Sequence, residues 1–188
     1  RMKALALSLL VMLAPLSAGA IAKVESNSQS MPDLRSNAFY ILDSSGSKVL
    51  AARNERTAVP IASITKLMTT LVVLEGRQPL DEMIVITRDD VRKTAGSNSR
   101  LEPGTRLSRS DLLHLTLISS ENRAAHALCR TYPGGMQACV SAMNRKAKSL
   151  GMKAARFVEP TGLSSSNVSS PVDLAKLVRA AAANPTVR

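Results

Sequence analysis

The sequence predicts an α+β fold, on three observations. Two short extended runs open the body of the chain and a series of helical patterns follows, the segregated order of α+β proteins rather than the alternation of α/β ones. The length, 188 residues, suits one domain with a real core. Only Phe39, Tyr40, Tyr132 and Phe157 are aromatic, so that core has to be aliphatic, built on Leu, Val, Ile, Met and Ala.

In chain order, Arg1 and Lys3 precede an uncharged apolar run over 4–16, and Ser17-Ala18-Gly19-Ala20 supplies small residues. That order is an export signal over 1–20, cleaved after Ala20 or Ala22, because the run is too short for a permanent span. Residues 21–35 are polar and unpatterned and read as a flexible lead-in to a domain over 36–188. Residues 37–43 and 48–52 are two strands joined by the turn Ser44-Ser45-Gly46-Ser47. A helix over 63–75 follows, with Ser63 as its cap and Gly76 closing it. Its apolar residues Ile64, Leu67, Met68, Leu71 and Val72 recur at helical spacing. Residues 83–87 form a short strand and 96–107 a loop or small hairpin. Helices are expected over 108–119, capped by Ser108 with Asp111 three residues on, over 121–130, and over 136–150, ended by Gly151. Ser170-Pro171-Val172-Asp173 starts a last helix, to about 183, with cap, first-turn proline and early acid.

The stretch from Val59 to Met68 organises the chemistry. Ser63 and Lys66 are three apart and project from one helical face. A serine hydroxyl needs a base to become a nucleophile, and a lysine shielded from water can lose its proton and serve as one. The helix N-terminus also places positive dipole where an oxyanion would form. This is the Ser-x-x-Lys spacing of serine acyl-transfer enzymes. Alone it is weak: an ordinary cap beside a solvated lysine has the same letters, and Ser45-Gly46-Ser47-Lys48 matches too, in a turn.

The second element is Ser119-Ser120-Glu121-Asn122, between two helices, where a tight joint can aim short side chains into a cleft. Ser120 can relay a proton to a leaving amine, and Asn122 can hold both a substrate amide and Lys66. Ser-x-Asn recurs by chance at Ser165-Ser166-Asn167.

Together these elements resemble the penicilloyl serine transferases, specifically the low-molecular-mass D-alanyl-D-alanine peptidases of the S11 kind in their endopeptidase form. The resemblance covers residues 37–183. It rests on Ala62-Ser63-Ile64-Thr65-Lys66-Leu67-Met68-Thr69, Ser119-Ser120-Glu121-Asn122-Arg123-Ala124-Ala125, Tyr132-Pro133-Gly134-Gly135, Phe157-Val158-Glu159-Pro160-Thr161-Gly162-Leu163 and Asn167-Val168-Ser169, five matches in the right order. It implies the β-lactamase/DD-peptidase-like transpeptidase fold, an antiparallel sheet with a helical subdomain. It implies Ser63 as acyl-ester nucleophile, Lys66 as proton acceptor, and Ser120 and Asn122 as the second wall of the cleft. Peptidoglycan stem peptides are the implied substrate and β-lactam antibiotics covalent inhibitors, with no cofactor. The family's Lys-Thr-Gly strand has no match; Arg92-Lys93-Thr94-Ala95 comes nearest and lies too early. The expectation is a chain shortened at its C-terminus, lacking the last strands and one oxyanion N–H, and poorly active and poorly folded alone.

Three function classes stay open: a D-alanyl-D-alanine endopeptidase, with carboxypeptidase action as its variant; a serine β-lactamase; and a non-catalytic exported remnant. The formal charge of +11 is spread along the chain and aromatics for base stacking are scarce, so nucleic acid is a poor partner. A diffuse positive surface fits simple solubility or long-range attraction to an anionic polymer or lipid, hence peripheral association with membrane or other cell-wall enzymes. Export of this kind implies the periplasm. His114 and His126 lack neighbours at metal-ligand spacing and read as helix-face histidines, so no metal is expected. Glu159 reads as a loop carboxylate rather than a deacylating base, since Leu163 stands where β-lactamases of class A place an asparagine. Asn167-Val168-Ser169 reads as a turn-ordering segment rather than a glycosylation acceptor. Cys129 and Cys139 flank the turn at Tyr132–Gly135, in a chain exported to an oxidising compartment; a disulfide and two buried thiols are both compatible with that.

Overall fold

The structure is a computed structural model that describes residues 34–188. The expected export signal over 1–20 and most of the lead-in lie outside the described residues.

Strands β1 (Phe39–Leu42) and β2 (Val49–Arg53) form an antiparallel hairpin, with Phe39 opposite Arg53 and Tyr40 opposite Ala52. Its turn is built on Asp43, whose carboxylate accepts the backbone N–H groups of Ser47 at 2.8 Å and Lys48 at 3.0 Å. The second Ser-x-x-Lys match therefore lies in a turn where Ser45 and Lys48 are both exposed. Strand β3 (Val59–Pro60) leads through a 3₁₀ turn, Ala62–Ile64, into helix α1 (Thr65–Glu75). Strand β4 (Met83–Val85), helix α2 (Arg88–Lys93) and strand β5 (Arg106–Ser108) follow, with β4 and β5 antiparallel. Helices α3 (Arg109–Ile118), α4 (Asn122–Arg130) and α5 (Gly135–Ser149) precede β6 (Val168–Ser169), which pairs with β3, and α6 (Pro171–Ala183).

Helix α1 sits at the centre, against α3, α4, α5 and α6. Met68, Leu71, Val72 and Val73 are buried, and so are Thr65, Lys66, Thr69 and Thr70, so the helix is enclosed on nearly every side. One apolar core, aliphatic but for Phe157, forms on α1, α5 and α6 around Met68, Val72, Met143, Phe157 and Leu177. A second forms on α1, α3 and α4 around Val73, Ile86, Leu112 and Leu128.

The structure corrects several expectations. Ile64 is 42% exposed, because it belongs to the 3₁₀ turn and not to the packed face of α1. Ser63 is not a helix cap: it lies inside that turn, and Ile64 occupies the N-cap of α1 without a side-chain cap bond. Gly76 is the C-cap but is right-handed (φ −65°), and the left-handed residue is Arg77 (φ 50°). A glycine is needed at 76 for space: a Cβ there would stand 2.9 Å from the Tyr132 ring. Helix α2 was not anticipated. Thr87 and Asp90 form its capping box, so the expected strand over 83–87 stops at Val85 and hands Thr87 to the helix. The β3–β6 pair was also missed, being two residues long and more than a hundred residues apart in sequence.

Cys129 near the end of α4 and Cys139 in α5 are joined as a disulfide, with Cα atoms 5.4 Å apart. His126 is not a helix-face residue: it is 7% exposed, and its Nδ1 lies 2.7 Å from Asp90 Oδ1. Arg130 donates to the same carboxylate through Nε and Nη2, both at 3.0 Å, and the Thr87 backbone N–H donates at 2.7 Å. Burial by itself would raise the Asp90 pKa; the bonds from His126, Arg130 and Thr87 outweigh it and hold the carboxyl well below its ordinary value. This network ties α2 to the last turns of α4.

Two stability predictions follow from these ties between elements. Replacing both cysteines with alanine should cost about 3 kcal/mol, as expected for a loop this short, with reductant lowering the melting temperature of the parent protein alone. Equal sensitivity of both proteins to reductant would contradict it. Asp90→Asn strands the half-buried Arg130 and the buried His126 and should cost roughly 3 kcal/mol at neutral pH. Because the Asp90 pKa is depressed on folding, its contribution is present above 3.8 and is lost as pH falls toward the folded value. Urea midpoints of the two proteins should therefore converge in acid; a constant gap would be the contrary result.

Candidate active site

The site is assembled around one amine. Lys66 is only 2% exposed, on the first turn of α1. Its Nζ lies 2.9 Å from Ser63 Oγ, 2.7 Å from Asn122 Oδ1 and 2.7 Å from the backbone carbonyl oxygen of Thr161. The three partners come from three places: the 3₁₀ turn before α1, the first residue of α4, and the loop between α5 and β6. The expected serine–lysine pairing and the Lys66–Asn122 contact are thus both present. Ser63 itself is exposed, so its hydroxyl faces solvent on one side and the amine on the other.

The local chain explains this placement. Pro60 and the β3–β6 pairing hold the approach extended, and the Ile61 N–H donates to the Asn167 carbonyl at 3.1 Å. Ala62 then takes a left-handed conformation (φ 46°) that starts the 3₁₀ turn. Ser63 consequently enters the turn one residue earlier than a cap would, and its hydroxyl is left for Lys66 rather than for a backbone N–H.

Burial pushes the Lys66 pKa down, and the charges of Glu159 and Glu121 pull it partly back up. The partners define what each form of the amine does. An ammonium donates to all three oxygens. The neutral amine has two N–H bonds and one lone pair. The Thr161 carbonyl and the Asn122 amide oxygen can only accept, so they take the two N–H bonds. The lone pair is then left facing the Ser63 hydroxyl, the geometry of a base beside a nucleophile.

Ser120 lies in the joint between α3 and α4, exposed and left-handed (φ 53°). The joint is tight: the Ser119 and Glu121 N–H groups both donate to the Leu115 carbonyl at 3.1 Å, and Glu121 caps α4 by accepting the Ala124 N–H at 2.8 Å. Non-glycine left-handed residues cost energy and gather at functional sites; of the four among the described residues, Ala62 precedes Ser63 and Ser120 lies two before Asn122, while Asn54 and Arg77 lie elsewhere. The Ser120 side chain makes no hydrogen bond to Lys66 or Ser63.

Sequence reasoning missed the Thr161 carbonyl, since a backbone oxygen leaves no residue signature. Asn167 is fully buried: its Oδ1 accepts the Val158 N–H at 2.8 Å, and its amide donates to the Glu159 carbonyl at 2.9 Å. It orders the loop and is closed to glycosylation in the folded chain.

A profile of the peptidase S11 family, described as D-alanyl-D-alanine carboxypeptidase, matches residues 25–187. The chain is 50% identical over 153 residues to a D-alanyl-D-alanine endopeptidase of Pseudomonas aeruginosa, covering 81% of this chain and 49% of that protein. It is 46% identical over 182 residues to a D-alanyl-D-alanine endopeptidase of Escherichia coli, covering 96% and 59%. Among solved structures it resembles a D-alanyl-D-alanine carboxypeptidase of Mycobacterium tuberculosis, with TM-score 0.74 and 30% identity, over 86% of this chain and 61% of that one. A Streptomyces K15 DD-transpeptidase variant superposes with TM-score 0.76 at 26% identity, over 83% and 64%. The chain spans about half the length of these curated relatives. It has the α+β architecture of the DD-peptidase structures, and it belongs to the peptidase S11 family of D-alanyl-D-alanine carboxypeptidases.

Proposed function

We propose that this chain carries the nucleophile half of a serine D-alanyl-D-alanine endopeptidase that opens peptidoglycan cross-links. The observation that carries the reading is the buried Lys66 amine within hydrogen-bond distance of Ser63, Asn122 and Thr161, an arrangement that in the neutral form leaves the lone pair to Ser63. The endopeptidase form is supported by the relatives at 50% and 46% identity that bear that name, against 32% for a Bacillus subtilis carboxypeptidase.

In the first half-reaction Ser63 Oγ attacks the carbonyl carbon of a D-alanyl peptide bond while its proton passes to neutral Lys66. The oxyanion forms near the N-terminal turn of α1, where the helix field is positive. The C–N bond then breaks, the leaving amine takes a proton by way of Ser120, and an ester remains on Ser63. In the second half-reaction water attacks that ester and gives a proton to Lys66; the ester C–O bond then breaks, Lys66 returns the proton to Ser63 Oγ, and the acid leaves. A β-lactam follows the first half only: its ring amide opens, and the leaving nitrogen stays tethered over the ester. Periplasmic location and a role in wall remodelling rest on the export pattern over 1–20, and the disulfide agrees with an oxidising compartment. Peripheral association with membrane or other cell-wall enzymes rests on the spread positive charge.

Labelled penicillin given to the protein at its full encoded length should attach to Ser63, as read by peptide mass mapping. Label that survives Ser63→Ala, or persists at the parent rate in Lys66→Ala, would sink the assignment. Asn122→Ala removes one of the two acceptors that orient the amine. Its acylation rate should fall about 100-fold with little change in melting temperature, the scale expected for a misplaced reacting group. Cross-linked muropeptide dimers should be cut by the parent; release of terminal D-alanine alone would assign carboxypeptidase action instead.

A further inference from the structure

The loop that gives Lys66 its Thr161 carbonyl is organised by one side chain. Glu159 Oε2 accepts the Thr161 N–H at 2.7 Å and the Thr161 hydroxyl at 2.5 Å. Its Oε1 accepts the Gly162 N–H at 2.7 Å, the Asn167 amide at 2.7 Å and the Ser164 N–H at 3.4 Å. Five donors converge on one half-buried carboxylate, so the residues around it wrap into a cradle.

That cradle grips the start of α1 at several points. The Thr161 carbonyl takes Lys66, the Pro160 carbonyl takes the Thr69 hydroxyl at 2.8 Å, and the Asn167 amide reaches the Thr65 hydroxyl at 3.2 Å. Gly162 (φ 88°) lies so close to the 3₁₀ turn that an added Cβ would collide with the Ala62 carbonyl and the Ser63 backbone nitrogen. One loop therefore sets the position of the amine and of the nucleophile's backbone together.

We propose that Glu159 is a positioning residue for the Ser63–Lys66 pair, acting through Thr161 and Gly162 and through its negative charge on the Lys66 amine. This rests on the reading of Lys66 as the base. Glu159 is not itself a proton carrier: with both oxygens filled by donors, it has no open lone pair to present to a water. Its charge acts on proton affinity. The charged groups that act on Lys66 are Glu159 from this loop and Glu121 from the start of α4, and both favour the ammonium against the effect of burial. Removing the Glu159 charge should make the ammonium less stable, so that the neutral amine appears at lower pH.

The test is the rate of penicillin acylation of Ser63 against pH, on the protein at its full encoded length. In Glu159→Gln the acid limb of the profile should move down by about one pH unit, while the plateau rate falls about 10-fold or more because the cradle loses one of its two acceptor oxygens. Glu159→Asp keeps the charge on a shorter arm. Its acid limb should stay in place while the plateau falls, which is also the informative comparison should Glu159→Gln not fold. Gly162→Ala should likewise lower the plateau without moving the limb. A merely structural role would lower the yield of folded protein and leave the limb of Glu159→Gln where it was; that result overturns the proposal, as does a parent-like plateau in Glu159→Asp. If Lys66→Ala acylates normally, the base assignment fails instead, whatever the Glu159 variants do.

Discussion

A lysine amine held out of water is the constraint from which the rest of this structure follows. Burying an ammonium without partners is prohibitive, so the group either finds oxygens or loses its proton. Lys66 finds three oxygens, and burial still lowers its affinity for a proton. One of its three oxygens, Ser63 Oγ, is local; the other two belong to segments far away in sequence, and each must be brought in to within hydrogen-bond distance. The central place of α1, enclosed by four helices, supplies the dryness; α4 and the loop before β6 supply the acceptors. A solvated version of the same lysine would keep its ordinary affinity for a proton and would leave Ser63 unactivated.

The scaffold holds those acceptors stiffly. Helix α4 carries Asn122 at its first residue, and it is pinned near its other end by the Cys129–Cys139 disulfide and the Asp90–His126–Arg130 network. A nine-residue helix fixed at one end has little freedom at the other. The loop before β6 is held differently, by the half-buried Glu159 and the buried Asn167 side chains in place of a regular ladder. Two means of support, helical and side-chain, thus converge on one nitrogen.

The left-handed backbone at Ala62 and Ser120 fits the same picture. Each is a non-glycine residue kept in a costly conformation by its surroundings. At Ala62 the cost brings Ser63 into the 3₁₀ turn, which frees its hydroxyl from capping. At Ser120 it turns the chain sharply from α3 into α4, which exposes that hydroxyl and sets Asn122 at the start of the helix. The polar surface of the cleft is therefore a product of bends as much as of residue choice.

Much of this was legible in the chain alone. The Ser63–Lys66 spacing names a helical face, because three residues is nearly one turn, and the Ser108 and Ser170 caps start α3 and α6 where their patterns say. The order of strands before helices gives the α+β class by the logic of covering apolar faces. Tertiary structure decided the remainder. Ser63 is not a cap, because whether a serine caps or enters a turn depends on the φ of the residue before it. Helix α2 and the β3–β6 pair are too short for periodicity to register. The cysteine pair could be placed opposite each other from sequence, but its closure depends on how near two helices approach. The Thr161 carbonyl and the reach of Glu159 could not be read at all: a backbone oxygen has no letter, and a loop carboxylate has no period. Spacing along a helix is a local property that the sequence carries by itself, whereas the dryness and the second and third partners of Lys66 exist only once distant segments pack.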